Sequence, residues 1–216
     1  MNKPLKTFEL ELIATLVLFC QVVALGQSAG TDPLKPYTKC KSAVPDLQIR
    51  EVTRRPGKSN PFREVEYNNV KYKVSVRDGY RVMFAFPDLP YFFANVKIEQ
   101  SAPESFEQDK QILVDQLKFY NTTKQATPMI FSDTALLNGF EHYGLDRGKI
   151  DVGGQVGTHV LFHGAKHLIV TIYFLNQSKA VVANNRRFDT VEQYQDIRDK
   201  FLSSYSECLK SVADTP

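Results

Sequence analysis

The stretch "VGTHVLFHGAKHLIVTIYFL", residues 156–175, constrains this chain more than any other. Two runs of Val, Leu, Ile, Phe and Tyr flank a break that contains Gly164, the pattern of a β-hairpin. Such a hairpin is too apolar to stand in water, so the rest of the fold has to cover it. With Gly164, Ala165 and Lys166 as a three-residue loop, His163 faces His167, Leu161 faces Ile169 and His159 faces Thr171. The two-residue alternation then puts Val160, Phe162, Leu168, Val170, Ile172 and Phe174 on one wholly apolar face, the core side. The histidines fall on the more polar face.

That hairpin holds three of the chain's four histidines, which raises the question of a metal. His159 and His163 are four residues apart on one strand, about 13 Å between Cα atoms. One zinc ion, with ligand atoms at about 2 Å, does not bridge them. His163 and His167 are the candidate metal ligands, as cross-strand neighbours at about 5 Å. They need a third ligand, which His142 or Glu141 would supply. The bland alternative is a hairpin tip carrying polar side chains.

Elsewhere the periodicities give an alternating series of elements. "REVEYNNVKYKVSV" reads as a hairpin around Asn68-Asn69. "YRVMFAF" places Tyr80, Val82, Phe84 and Phe86 on one face before Pro87 and Pro90 stop it, and "ANVKIEQ" is a short strand. A helix follows over about 102–121. Its start has Ser101 and Glu104 at capping-box spacing, and its stripe is Phe106, Lys110, Leu113, Leu117 and Tyr120. Four strands occupy 128–175, with Asn138-Gly139 and Gly153, Gly154 and Gly157 as turn or bulge positions. Thr190 and Gln193 open a last helix whose stripe is Val191, Tyr194, Ile197, Phe201, Tyr205 and Cys208. Tight turns between strands mean antiparallel pairing. The fold class is therefore α+β, an antiparallel sheet packed by helices.

The N-terminus points to export. Lys3 and Lys6 precede an apolar run from Leu12 to Leu25, and small residues follow it. This reads as a secretory signal peptide over residues 1–26, cleaved after Gly26. The run is short of the roughly 20 residues of a membrane span. Glu9 and Glu11 keep an uncleaved anchor as the alternative, and membrane association is expected only in that case. Cys20 leaves with the signal, so Cys40 and Cys208 remain as an even pair in an oxidising compartment and are expected to form a disulfide. Residues 27–62 read as an irregular lead segment and 63–212 as a single α+β domain. Arg50, Arg54, Arg55 and Lys58 of the segment, with Arg63 just after it, form a loose basic cluster without interleaved aromatics, and the net charge is only +3, so no nucleic-acid partner is expected. Tyr91, Phe92 and Phe93 form either a contact patch or packing beneath the lead segment.

Several chemistries find no support. The sequence has no Gly-x-Ser-x-Gly elbow, no His-Glu-x-x-His helix, and no Lys-Ser/Thr after "DVGGQVG" to make a phosphate loop. Glu141 and His142 alternate to opposite faces. No catalytic residue and no cofactor is expected. Asn121-Thr122-Thr123 and Asn176-Gln177-Ser178 fit the glycosylation sequon.

"DGYRVMFAFPDLP", with Phe86, Pro87, Leu89 and Pro90, resembles the opening of the PsbP/Mog1-like domain of small exported bacterial proteins. "NGFEHYGLDRG", the hairpin above and "FDTVEQYQDIRDKFLSSY" resemble its later elements, so the likeness spans about 63–210. The resemblance implies an α-β-α sandwich and an adaptor or assembly role without catalytic residues. The leading expectation is an exported, non-enzymatic domain that binds a protein partner or envelope component. The alternative is a small-molecule or metal-binding protein that uses the face of His159, His163, His167 and Tyr173. A third is a hydrolase whose site is assembled from distant residues.

Overall fold

The computed structural model describes residues 32–55, 62–67, 70–75, 77–122, 129–150, 153–177 and 187–215. The signal-peptide expectation, Lys58 and the cysteine at position 20 lie outside them. Among the described residues nine strands and two helices follow one another, all but the first strand in the expected order. They are β1 (Gln48–Arg55), β2 (Phe62–Tyr67), β3 (Val70–Ser75), β4 (Gly79–Ala85), β5 (Ala94–Gln100), α1 (Phe106–Thr122), β6 (Met129–Leu137), β7 (Phe140–Arg147), β8 (Gly154–His163), β9 (Leu168–Asn176) and α2 (Val191–Ala213). Seven strands form one sheet in the order β1-β4-β5-β9-β8-β7-β6, antiparallel at every pairing. β2 and β3 pair only with each other, Tyr67 against Val70, as the Asn68-Asn69 signal indicates.

The two helices lie on opposite faces. α1 leads the chain from β5 to the far edge strand β6, so it crosses over β9, β8 and β7. There it packs Phe106, Val114 and Leu117 against Leu145, Val160, Phe162 and Ile169. α2 covers the other face, where Phe201, Tyr205 and Leu209 meet Phe84, Val96, Val170, Ile172 and Phe174. β8 and β9 are thus sandwiched on both sides, and their residues are almost continuously buried. The α1 face of β5 has no such cover, and β5 alternates buried and half-buried residues.

The hairpin register departs from the sequence expectation by one residue. Gly164–Lys166 form a 3-10 turn, His167 is left-handed with φ 48°, and the last ladder pair is His163 with Leu168. The connection is therefore four residues long, and one extra residue reverses the relative facing of the two strands. Val160 and Phe162 point to α1, while Leu168, Val170, Ile172 and Phe174 point to α2. The expected single apolar face is split between two cores, and the histidine face lies under a helix.

Two further readings shift. The lead segment is not irregular throughout, since Gln48–Arg55 forms edge strand β1 against β4, and the chain from Leu34 onward belongs to one unit. Arg54 of the basic cluster binds Asp78 at 2.7 Å and stands over Tyr80. α1 begins at Phe106, after a turn in which Ser105 N–H donates to Ala102 O. Ser101 does not make the expected capping box; its hydroxyl donates to the buried Asp109 carboxylate at 2.6 Å, which Arg77 also approaches at 3.2 Å. α2 does have its capping box, with Thr190 and Gln193 bonded reciprocally. Asn138 and Gly139 both take positive φ in the two-residue β6–β7 turn.

The lead segment is fastened to α2. Cys40 and Cys208 form a disulfide with Cα atoms 5.5 Å apart, and Ala43 N–H donates to Ser204 Oγ at 2.9 Å. Of the three aromatics read as a patch or as packing, Phe93 is core, against Phe86, Phe174, Phe188 and Phe201, and Tyr91 packs on the same cluster. Phe92 is half-buried. Asn176 is also buried and donates to Ile150 O, so its sequon is closed in the folded chain, whereas Asn121 is exposed.

The disulfide spans 168 residues, for which loop-closure entropy sets a ceiling of about 5 kcal/mol. Urea unfolding of the Cys40→Ser/Cys208→Ser double variant is expected to show a loss of several kcal/mol. A loss below about 1 kcal/mol would mean that the contacts of α2 with residues 34–47 hold without the covalent tie.

Candidate functional site

β7 and β8 bring together a polar cluster beneath α2. Alternation along β7 directs His142, Gly144 and Asp146 to the α2 face, and β8 adds His159 through the Gly144–His159 pair. His142 Nε2 and His159 Nδ1 are 2.9 Å apart, and His159 Nε2 lies 3.1 Å from Asp146 Oδ1. From α2, Tyr194 donates its hydroxyl to Asp146 Oδ1 at 2.6 Å, and Arg198, one turn later, donates to Oδ2. Arg198 also holds Asp199 at 2.8 Å. His159 is 2 % exposed, and His142 and Asp146 are each 7 % exposed.

A carboxylate only accepts, so the Nε2–H of His159 donates to Asp146 Oδ1, and the second ring nitrogen of His159 shares a hydrogen bond with His142 Nε2. Burial acts against charge on Asp146, but the hydrogen bond and charge of His159, with Arg198 and Tyr194, hold its carboxyl below the usual range. Burial, reinforced by Asp146, pushes the Tyr194 phenol well above its ordinary value. His142 is lowered from 6.5 to about 4, first by burial and then by repulsion from His159. One buried anion therefore ties α2 to two strands, with two donors on Oδ1 and one on Oδ2.

Two glycines make the cluster possible. A Cβ on Gly157 would run into the Tyr194 hydroxyl and the Asp146 carboxylate, and a Cβ on Gly144 would stand 2.6 Å from Ser132 Oγ and 2.8 Å from the His159 ring. Gly157 also follows an irregularity in the β8–β9 register, in line with its reading as a bulge position.

The structure separates the expected ligand pair. His163 packs its ring on Phe140 at 5.2 Å, and His167 lies 5.5 Å from Phe106. Phe140 belongs to the core under α2 and Phe106 to the core under α1. Among the described residues no group of three or more His, Cys, Asp or Glu side chains is placed to hold a metal ion. Glu141 turns to α1 and pairs with Lys110 at 2.8 Å. What sequence reasoning missed is Asp146 and Arg198. The first lay in the two-residue spacing His142, Gly144, Asp146, and the second sits one turn after Tyr194 on α2.

On the opposite face, a cavity of about 430 Å³ lies between the C-terminal half of α1 and the sheet. Its floor contains a row set by register, Tyr173 beside Thr158 beside Leu145. Leu113 and Leu117 of α1 line it from above, and Arg147, Gln155 and Thr171 also border it. Tyr120 borders it and is half exposed. Tyr173 is the one member of the expected ligand face that reaches this space. Lys97 donates to its hydroxyl at 3.1 Å and stands over its ring.

No protein-family model matches the chain, and neither a curated protein nor a solved structure matches it. Among the described residues no helix is long and apolar enough to cross a membrane.

The folded state keeps His142 neutral down to about pH 4, whereas the unfolded chain takes up that proton near 6.5. The unfolded state thus binds more protons between these values. The contribution of His142 is fully present above 6.5 and is lost as the pH falls toward 4, by roughly 3 kcal/mol. Asp146, lowered from 3.8, acts in a separate window below that value. Urea unfolding at pH 7 and pH 4.5 is expected to show a loss of about 2–3 kcal/mol in the native chain. His142→Gln, whose amide can still hydrogen-bond to His159, is expected to remove most of that difference. An unchanged difference would place the acid sensitivity in another group.

Proposed function

We propose that this chain is an exported, non-enzymatic domain that acts by binding, and that it takes a small molecule in the cavity under α1. The basic, apolar and small-residue order of 1–26 supports export, and the Cys40–Cys208 disulfide is compatible with an oxidising compartment. The element order and the helix on each face of the sheet support a PsbP/Mog1-like reading. The observation that carries the binding reading is the cavity itself. Its volume falls among those of small-molecule sites, about 300–1,000 Å³, and apolar walls are joined there by a few polar groups. This moves the ligand from the histidine face, which α2 covers, to the other side of the sheet. The Asp146 cluster serves as an anchor for α2 in this reading.

A partner protein is the second reading. β6 is an outer strand with Ile130 52 % and Leu136 67 % exposed, and an open strand edge accepts another chain through main-chain hydrogen bonds. In a pull-down from envelope extract, an Ile130→Lys/Leu136→Lys variant is expected to lose whatever partner the native chain retains; equal retention by both would remove β6 from consideration.

The cavity is tested with an uncharged apolar probe. Titration with 1-decanol, followed by amide chemical shifts, is expected to give saturable changes centred on Leu113, Leu145 and Thr171, with none for a Thr171→Phe variant that fills the space. Changes scattered over the surface, or changes that persist in Thr171→Phe, would overturn the cavity as the site.

A further inference from the structure

We infer that the cavity selects a small amphipathic monocarboxylate, held with its carboxylate on Arg147 and its apolar body between α1 and the sheet; this rests on the cavity reading above. Arg147 alternates along β7 with Leu145 and Tyr143, so all three look toward α1, while its neighbour Asp146 looks toward α2 and is spent there on His159, Tyr194 and Arg198. The two faces of β7 thus carry opposite charge, and the guanidinium on the cavity side has no ion-pair partner among the described residues. Other cations near the two cores have carboxylates: Lys110 has Glu141, Arg77 has Asp109 and Arg198 has Asp146. An arginine left without a carboxylate beside an apolar cavity is a ready site for one, because its planar fork matches two carboxylate oxygens.

The neighbouring groups set the rest of the chemistry. Leu113, Leu117, Leu145 and Val160 line the cavity and suit an alkyl or aryl body. Thr171 is 4 % exposed and borders the space, and its hydroxyl has no hydrogen-bond partner among the described residues. Thr158 accepts from Gln155, which leaves its own hydroxyl proton to donate. Lys97 is occupied with Tyr173. Arg147 is the one cation in the cavity lining, and the hydroxyls beside it add donors without charge, which fits a ligand with a single negative charge.

The test compares three ten-carbon probes on the folded protein: decanoate, 1-decanol and decylammonium. Affinities are read from amide chemical shifts. Decanoate is expected to bind about ten-fold more tightly than decanol, the worth of one charge-assisted contact, and decylammonium most weakly. Arg147→Gln is expected to bring decanoate down to the level of decanol while leaving decanol unchanged, which also reports that the variant is folded. Arg147→Lys is expected to recover part of the difference. Equal binding of decanoate and decanol, unaffected by Arg147→Gln, would overturn the monocarboxylate while leaving the cavity as a binding site. Absence of binding by all three probes would overturn both.

Discussion

The turn between β8 and β9 governs much of the molecule. β9 and β8 sit in the middle of the seven-stranded sheet, so their register decides which side chains each helix meets. Four residues connect them, Gly164 to His167, and His167 takes the left-handed conformation that closes the turn. A connection of three would have put Val160 and Phe162 on the same face as Val170 and Phe174. The observed one divides them, so that each face of the hairpin has apolar residues to bury and each helix has a core to build on. The three-layer arrangement depends on this count.

The same register brings His159 under α2, where a neutral aliphatic residue would have packed more simply. The position is sustained by Asp146, whose charge is compensated by one ring nitrogen, one phenol and one guanidinium. Removing one partner from such a group costs more than the pair contributes, because the remaining charge stays buried. The cluster therefore specifies how α2 lies on the sheet, and it is sensitive to acid through His142. Gly144 and Gly157 leave the space it needs.

α1 and α2 cover the sheet unequally. α2 is tied down by the disulfide, by Ser204 and by the bonds of Asn138 to Ser206 and Ser203 O. α1 leads toward the edge strand, and the cavity lies between its C-terminal half and the sheet. A helix that has to carry the chain across three strands cannot fill every position beneath it, and the space falls where Thr158, Thr171 and Tyr173 present polar groups in place of large aliphatic ones.

Much of this fold was legible in the residues alone. Alternation located the strands from Tyr80 to Phe86 and from Ala94 to Gln100, the spacing of Tyr194, Phe201 and Tyr205 located the buried face of α2, and cysteine parity paired Cys40 with Cys208. These are local periodicities or simple counts, and neighbouring residues suffice to read them. Strand β1 was missed because its exposed edge position leaves Gln48–Arg55 almost no apolar alternation. The start of α1 was misplaced because Ser101 bonds the side chain of Asp109 in the first turn and does not cap a backbone N–H. The contact of His142 with His159 and Asp146, the separation of His163 from His167, and the place of Arg147 beside a cavity were settled only by tertiary structure. Each depends on which strand lies beside which and on a register that one turn residue reverses, and no repeat in the sequence records either.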